Sequence, residues 1–185
     1  MNEEKRYTVF CAVDRIAQGN LASVLAVLNA RSAVKPAVLV FDDDSGKQVD
    51  FDTSGSLEAV LARYACAEQE KKGPGRPKLG VKGMEVTLLP RHWEWLERQS
   101  QGISATLRRL VDMARAAETD QDRQRVRVDA AYRFINAIAG NLAGFEEACR
   151  ALYRFDGQGF ASIVSAWPRD IAAHAMELAG WGKDR

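Results

Sequence analysis

The stretch GRPKLGVKGMEVTLLPRHWEWLERQSQGISATLRRLV, residues 75–111, decides how the middle of the chain folds. Its apolar alternation predicts a short strand over residues 84–89, which Pro90 ends because proline has no N–H to donate. A helix is predicted over about residues 91–99, and Gly102 allows a sharp turn into a second helix. One strand and two short helices bury too little apolar surface to be stable alone. The pattern therefore predicts a second copy of the chain that supplies a partner strand.

The opening of the second helix, Gly-Ile-Ser-Ala-Thr-Leu-Arg-Arg-Leu-Val over residues 102–111, resembles that of ribbon-helix-helix repressors and antitoxins. In such proteins a dimer forms a two-stranded ribbon that enters the DNA major groove. The resemblance therefore implies a DNA-binding homodimer. The strand departs from the family pattern, because it lacks the Arg or Lys that often reads guanine. The alternative is an ordinary helical hairpin with an edge strand.

The predicted strand can adopt two registers. In the first, Glu85, Thr87 and Leu89 face the groove, where Thr87 can hydrogen-bond a base edge or contact a thymine methyl group. The opposite register turns Leu88 toward DNA, and the first is preferred because it buries more apolar surface. The dimer core predicted from the first register consists of Val86, Leu88, Trp93, Leu96, Leu107, Leu110 and Val111.

Groups that can bind phosphate flank the predicted ribbon. Ser104 is predicted to cap the second helix, whose free N–H groups and positive dipole end suit a DNA phosphate. Gly75-Arg76-Pro77-Lys78 resembles the core of an AT-hook, in which an extended Gly-Arg-Pro places its arginine in a narrow A·T minor groove. The alternative for this arm is a solvated linker. The predicted nucleic-acid-binding residues are Lys71, Lys72, Gly75, Arg76, Pro77, Lys78, Lys82, Glu85, Thr87, Leu89, Arg91, Ser104, Ala105 and Thr106.

Charge is segregated along the 185-residue chain, although the net formal charge is only +1. Residues 1–70 hold 7 Lys or Arg against 11 Asp or Glu, residues 71–115 hold 10 against 4, and residues 116–185 hold 9 against 10. A basic centre between more acidic flanks is expected of a protein that binds nucleic acid through its centre. Double-stranded DNA is therefore the expected partner, beside the chain itself as a homodimer or a dimer of dimers, and the flanks are expected to bind a small ligand or a protein.

The flanking segments predict an α+β protein with three parts and a linker. Residues 7–17 predict a strand, and the elements that follow complete a β-α-β-β-α order. The C-terminal segment is predicted to be helical because its apolar residues recur at helical spacing. The predicted organisation is an α+β module over residues 1–67, a basic linker or arm over 68–83, a dimeric ribbon-helix-helix segment over 84–117 and a small helical bundle over 120–182.

No catalytic or metal-binding pattern is found in the sequence. Asp42-Asp43-Asp44 lacks EF-hand spacing, since Lys47 and Thr53 occupy the sixth and twelfth positions, and a turn with solvated acids is predicted there instead. His92 and His174 are the 2 histidines of the chain, and they fall in different predicted modules. No Ser or Cys has an evident base partner. The expectation is a protein without cofactor or metal that is not an enzyme.

The composition, 46% hydrophobic and 28% charged, favours a globular protein. No apolar run approaches the roughly 18–20 residues that a membrane span needs, and the start of the sequence does not resemble a signal peptide. Three widely spaced cysteines, Cys11, Cys66 and Cys149, favour reduced thiols. A cytoplasmic, nucleoid-associated protein is therefore expected.

The whole chain resembles an uncharacterised bacterial family through sequence blocks at residues 40–50, 75–93 and 144–148. The family has no known activity, so the expected function depends on the residues themselves. The leading expectation is a homodimeric DNA-binding transcriptional regulator. The alternative is an antitoxin-like or adaptor module that dimerises through the central segment without reading DNA. An enzyme built on the N-terminal module is the least favoured reading.

Overall fold

The computed structural model of the protein describes residues 5–31, 38–68 and 84–182, with backbone alone for residues 65–68. The architecture is mixed α and β, and it divides into two units: residues 1–70 with 121–185, and residues 71–120. The elements in chain order are β1 (Arg6–Cys11), β2 (Asp14–Asn20), α1 (Leu21–Arg31), β3 (Val38–Asp42), β4 (Gln48–Val49), α2 (Leu57–Glu68), α3 (Pro90–Glu97), α4 (Ile103–Ala116), α5 (Asp120–Ile138), α6 (Phe145–Tyr153), α7 (Gly157–Val164) and α8 (Arg169–Leu178).

The N-terminal strands form an antiparallel sheet in the order β2-β1-β3-β4. The single strand predicted over residues 7–17 is wrong, because β1 and β2 form a hairpin that reverses at Ala12 and Val13. Ala12 adopts a left-handed φ of 54°, a conformation that Gly or Asn usually signals in a turn. Because this turn contains neither Gly nor Asn, the sequence over residues 7–17 carries no turn signal and predicts one continuous strand. The third strand of the predicted β-α-β-β-α order, expected over residues 47–51, is observed only as Gln48–Val49.

Apolar side chains on both faces of the sheet are buried. On one face Tyr7 and Val9 of β1 and Val40 of β3 pack with Val24 and Leu28 of α1. Successive strand residues point to opposite faces, so Phe10 and Phe41 lie on the other face and need a separate cover.

The C-terminal helices provide that cover. The Phe134 ring of α5 lies 5.4 Å from the Phe10 ring and 4.9 Å from the Phe41 ring, measured between centroids. The two flanking segments were predicted as separate modules, whereas the structure groups them in one unit, in which Phe10 and Phe41 share a buried cluster with the C-terminal helices. The physical reason is that a four-stranded sheet with apolar residues on both faces must be covered on both sides.

The second unit contains the helical hairpin that the sequence predicted. The helices predicted over about residues 91–99 and from Gly102 are observed as Pro90–Glu97 and Ile103–Ala116. The predicted cap is corrected: Gly102, with φ 77°, is the N-cap of α4, and Ser104 is the second helical residue. Residues 84–89, predicted as the ribbon strand, are not assigned to a strand in this single chain. The ribbon-helix-helix fold therefore stays a prediction.

Candidate nucleic-acid interface

The segment Met84–Leu89 leads into α3, and its first five residues have no backbone partner among the described residues. Among the hydrogen bonds of the described residues, none involves the backbone of residues 84–88. Leu89 adopts extended backbone angles, and its carbonyl oxygen accepts from the N–H groups of His92 and Trp93 at the start of α3. Glu85 and Thr87, which were predicted to face DNA, are exposed, as is Leu89. The segment thus presents a free peptide edge of the kind that pairs with another strand.

Apolar side chains of the second unit remain exposed in the single chain. In its described part, only Leu96 and Thr106 are buried. Val111 and Met113 of α4 are 55% and 56% exposed, and Val86 is 54% exposed. Of the other residues predicted for a dimer core, Leu88, Trp93 and Leu107 are half-buried and Leu110 is exposed. This unit therefore has apolar surface that a second polypeptide could cover.

A shallow cleft lies at the N-terminus of α4. The residues that line it are Glu97, Gln101, Gly102, Ile103, Ser104, Ala105 and Arg108. The first N–H to bond within the helix is that of Thr106, which donates to the Gly102 carbonyl oxygen at 3.0 Å. By helix geometry, the N–H groups of Ile103, Ser104 and Ala105 are left without helical partners and can meet an anion.

Two residues change the predicted composition of this cleft. Thr106 was predicted to contact nucleic acid, but its side chain is 2% exposed and so cannot reach a phosphate in this chain. Arg108 was missed: its Nε donates to the Ser104 carbonyl oxygen at 3.1 Å, and its side chain lines the cleft. The signal was its position four residues after Ser104, which puts both residues on one helical face.

Glu97 brings a negative charge to the same cleft. Arg108 and the free N–H groups favour an anion there, whereas the Glu97 carboxylate opposes one. Of the remaining predicted contacts, Arg91 is exposed in the first turn of α3. The arm residues Lys71, Lys72, Gly75, Arg76, Pro77, Lys78 and Lys82 lie outside the described residues.

The prediction that the acidic turn after β3 consists of solvated acids is wrong for part of it: Asp44 is exposed, but Asp43 is half-buried and Asp42 is buried. Asp42 is 5% exposed, and its Oδ2 accepts from Lys5 Nζ at 2.7 Å. Burial raises the pKa of Asp42, but the hydrogen bonds from Lys5 and from the Ser45 backbone outweigh it, so the pKa lies below its ordinary value. The Asp43 carboxylate accepts from Thr8 Oγ1 at 2.7 Å. These acids hold the turn in place.

The described residues contain no group of three or more His, Cys, Asp or Glu side chains that could hold a metal ion. A search of the same residues for helices long and apolar enough to cross a membrane found none.

A model of a family described as "Uncharacterized protein conserved in bacteria (DUF2239)" matches residues 6–179. The chain belongs to this family. The match spans both units and confirms the predicted resemblance to an uncharacterised bacterial family. Comparisons with curated proteins and with solved structures each found no significant match. The function of this family member therefore has to be argued from its own residues.

Proposed function

We propose that the chain binds double-stranded DNA as a homodimer and acts as a transcriptional regulator. The observation that carries the proposal is the segment over residues 84–88, whose backbone has no partner among the described residues and which leads through Leu89 into two helices with exposed apolar side chains. In the dimer, two antiparallel copies of this segment pair with each other and form a two-stranded ribbon. Such a ribbon has the dimensions to enter the DNA major groove.

Exposed apolar side chains favour the proposal that a second copy of the chain binds to this unit. Val86, Val111 and Met113 are each more than half exposed, in a unit whose described part buries little. Covering apolar surface is favourable by about 25 cal/mol per Å². A symmetric partner would cover these side chains and pair the free strand edge in one step, because a two-fold axis brings the same patch of both chains together.

Positive groups around the ribbon support DNA as the ligand. Residues 71–83 hold 5 Lys or Arg and no Asp or Glu. At the start of α4, Arg108 and the free N–H groups of Ser104 and Ala105 form an anion-binding end. Arg76, Lys78 and Lys82 of the arm would add minor-groove and phosphate contacts. The two copies would double each of these contacts.

The groove-facing residues suggest how bases would be read. Thr87 can exchange a hydrogen bond with a base edge, and Leu89 can contact a thymine methyl group. The Glu85 carboxylate can accept from the N4 amino group of cytosine. Because none of these three side chains is cationic, we expect modest sequence preference and a large share of binding from phosphate contacts.

The test is fluorescence anisotropy with a random duplex and an A·T-rich duplex at about 50 mM and about 200 mM salt. The wild type is compared with Arg76→Ala, Thr87→Ala and the control Arg150→Ala, which removes an exposed arginine that pairs with Glu146 on α6. We expect Arg76→Ala to weaken binding to both duplexes. Thr87→Ala should reduce the difference in affinity between the A·T-rich duplex and the random duplex. Arg150→Ala should bind as the wild type does.

A second candidate is an antitoxin-like or adaptor module that dimerises through the same segment without reading DNA. It is favoured by Glu97 in the cleft and by the absence of a cation among Glu85, Thr87 and Leu89. The same titration separates the two functions. A DNA-binding dimer loses affinity with a log–log salt slope of about −0.9 per phosphate contact, whereas a dimer that gives no anisotropy change at low salt is an adaptor.

A further inference from the structure

His174 of α8 is buried where the N-terminal sheet meets the C-terminal helices. It is 1% exposed. Its ring lies 5.6 Å from the Phe10 ring of β1 and 4.7 Å from the Phe134 ring of α5, between centroids. A polar ring in this position needs hydrogen-bond partners, because burying an unpaired polar group costs about 1–3 kcal/mol.

Both ring nitrogens of His174 face a carboxylate. Nδ1 lies 3.4 Å from Oε2 of Glu177, one turn further along α8. Nε2 lies 3.7 Å from Oδ1 of Asp43, in the turn after β3. At that distance Nε2 makes no hydrogen bond, and it is the only buried side-chain nitrogen or oxygen without a partner in the part of the chain that is described.

The chemistry of the ring decides between its protonation states. A neutral imidazole carries one N–H, and its other nitrogen has a lone pair. An ionised carboxylate only accepts hydrogen bonds, so a neutral His174 always turns one lone pair toward a carboxylate. The imidazolium form has two N–H groups and can donate to Glu177 and Asp43 together. Only the protonated ring satisfies both neighbours.

We propose that His174 is a proton-dependent latch that joins the N-terminal sheet to the C-terminal helices. A proton on Nε2 closes the contact to Asp43 while Nδ1 keeps its contact to Glu177. Loss of that proton leaves the Asp43 carboxylate facing a lone pair, and the junction weakens.

The charged groups around the ring favour the latch. From β2, Arg15 Nη1 pairs with Glu177 at 2.8 Å, and the Arg15 backbone N–H donates to Asp170 of α8 at 2.8 Å. Asp43 receives hydrogen bonds from the neutral side chains of Thr8 and Gln18. β1 and α5 present the Phe10 and Phe134 rings to His174.

These contacts give the two carboxylates different cationic partners. Glu177 already has a cation in Arg15. Among the ion pairs of the described residues, a protonated His174 is the only cation that Asp43 could pair with. The protonated ring would therefore compensate a charge that the rest of the junction leaves unpaired.

The test follows thermal unfolding of the whole chain by circular dichroism at about pH 5.5 and about pH 8, the range in which histidine titrates. His174→Phe keeps an aromatic ring in the pocket but cannot take up a proton. Asp43→Asn replaces the carboxylate by an amide that can donate to a neutral Nε2. His92→Gln is the control, because it removes the other histidine, which is exposed on α3.

We expect the wild-type melting temperature to fall by about 3 °C as the pH rises, since a contact that needs the protonated ring is lost in that direction. The fall should persist in His92→Gln, shrink in Asp43→Asn and vanish in His174→Phe. An equal fall in His174→Phe and in the wild type would overturn the proposal.

A spectroscopic measurement keeps the proposal testable if His174→Phe does not fold. Proton–nitrogen correlation spectra of the wild type report the protonation of its two imidazole rings separately. At about pH 5.5 the latch requires protons on both ring nitrogens of His174 in the folded protein. A neutral His174 ring at that pH would contradict it.

Discussion

Gly46, in the turn between β3 and β4, lies directly against the backbone of α5 at Ala130, so closely that a Cβ atom at Gly46 would overlap the Ala130 carbonyl oxygen. Gly46 also adopts a left-handed φ of 66°. Next to this contact, Arg133 Nη1 of α5 donates to the Ser45 carbonyl oxygen at 3.0 Å. The acidic turn and α5 are therefore packed backbone to backbone, and this contact joins the two flanking segments.

Gly46→Ala should destabilise the first unit strongly. The added methyl group must displace the turn from α5 and also occupy a left-handed conformation, so we expect a loss of about 3 kcal/mol or more. The measurement is urea unfolding followed by circular dichroism. Gly55→Ala is the matched control: Gly55 has φ 98°, but its nearest added contact is 3.8 Å away, and its loss should be only about 1–2 kcal/mol. Equal losses for the two variants would contradict the backbone contact.

Glu177 should make the first unit sensitive to strong acid. A hydrogen bond from His174, and then the charge of Arg15, lower the pKa of Glu177 from 4.5 to about 2. The unfolded chain takes up this proton first, so the stabilisation is complete above about pH 4.5 and is lost as the pH falls toward 2. Glu177→Gln should therefore flatten the acid limb of the stability profile, measured by urea unfolding between these pH values. Glu146→Gln, at an exposed pair with Arg150, should leave that limb unchanged.

Val111→Glu should dissociate the proposed dimer. Its side chain is 55% exposed on α4, where the second copy would cover it, and a carboxylate there would be desolvated without a cation. We expect the dimer dissociation constant to rise at least about tenfold, as measured by sedimentation velocity. Val126→Glu is the control, because Val126 is 56% exposed on α5 in the other unit. A Val111→Glu protein that remains as dimeric as the control would place the interface elsewhere.

Substitutions of the two charged residues of the α4 cleft should change DNA affinity in opposite directions. Arg108→Ala removes the cation nearest the free N–H groups, so DNA affinity should fall at low salt and the log–log salt slope should drop by about 0.9 per lost contact. Glu97→Gln removes the opposing carboxylate, so affinity should rise while the slope stays the same. Anisotropy titrations at several salt concentrations measure both. If Glu97→Gln leaves the affinity unchanged, the cleft does not lie against a phosphate.

Local signals in the sequence predicted local structure well. Pro90 and Gly102 set the starts of α3 and α4, because one lacks an N–H and the other tolerates a positive φ. The hairpin at Ala12 was missed because its turn uses an alanine in a conformation that glycine usually adopts. The helix opening predicted that Ser104 and Ala105 lie at the start of α4, and both line the cleft there, although Gly102 and not Ser104 is the cap. The burial of Thr106 was not visible, since it depends on how α3 packs against α4.

Contacts between distant parts of the chain were beyond sequence reasoning. Phe10 and Phe41 pack against Phe134 and so join two segments that the sequence predicted as separate modules. Periodicity does not show which apolar faces meet. The sequence likewise predicted a solvated side chain for Asp43. Its proximity to His174 follows only from the packing of the turn after β3 near α8. The ribbon is a different case, because its partner strand would belong to a second molecule.

The number of chains that bind one duplex tests the proposed DNA-binding homodimer directly. Sedimentation velocity with a fluorescently labelled A·T-rich duplex and the wild-type chain at low salt measures the mass of the complex. We expect a complex with two chains per duplex, and free DNA alone when Val111→Glu replaces the wild type. Duplex that sediments as free DNA with the wild type, or that carries a single chain, would contradict the proposal.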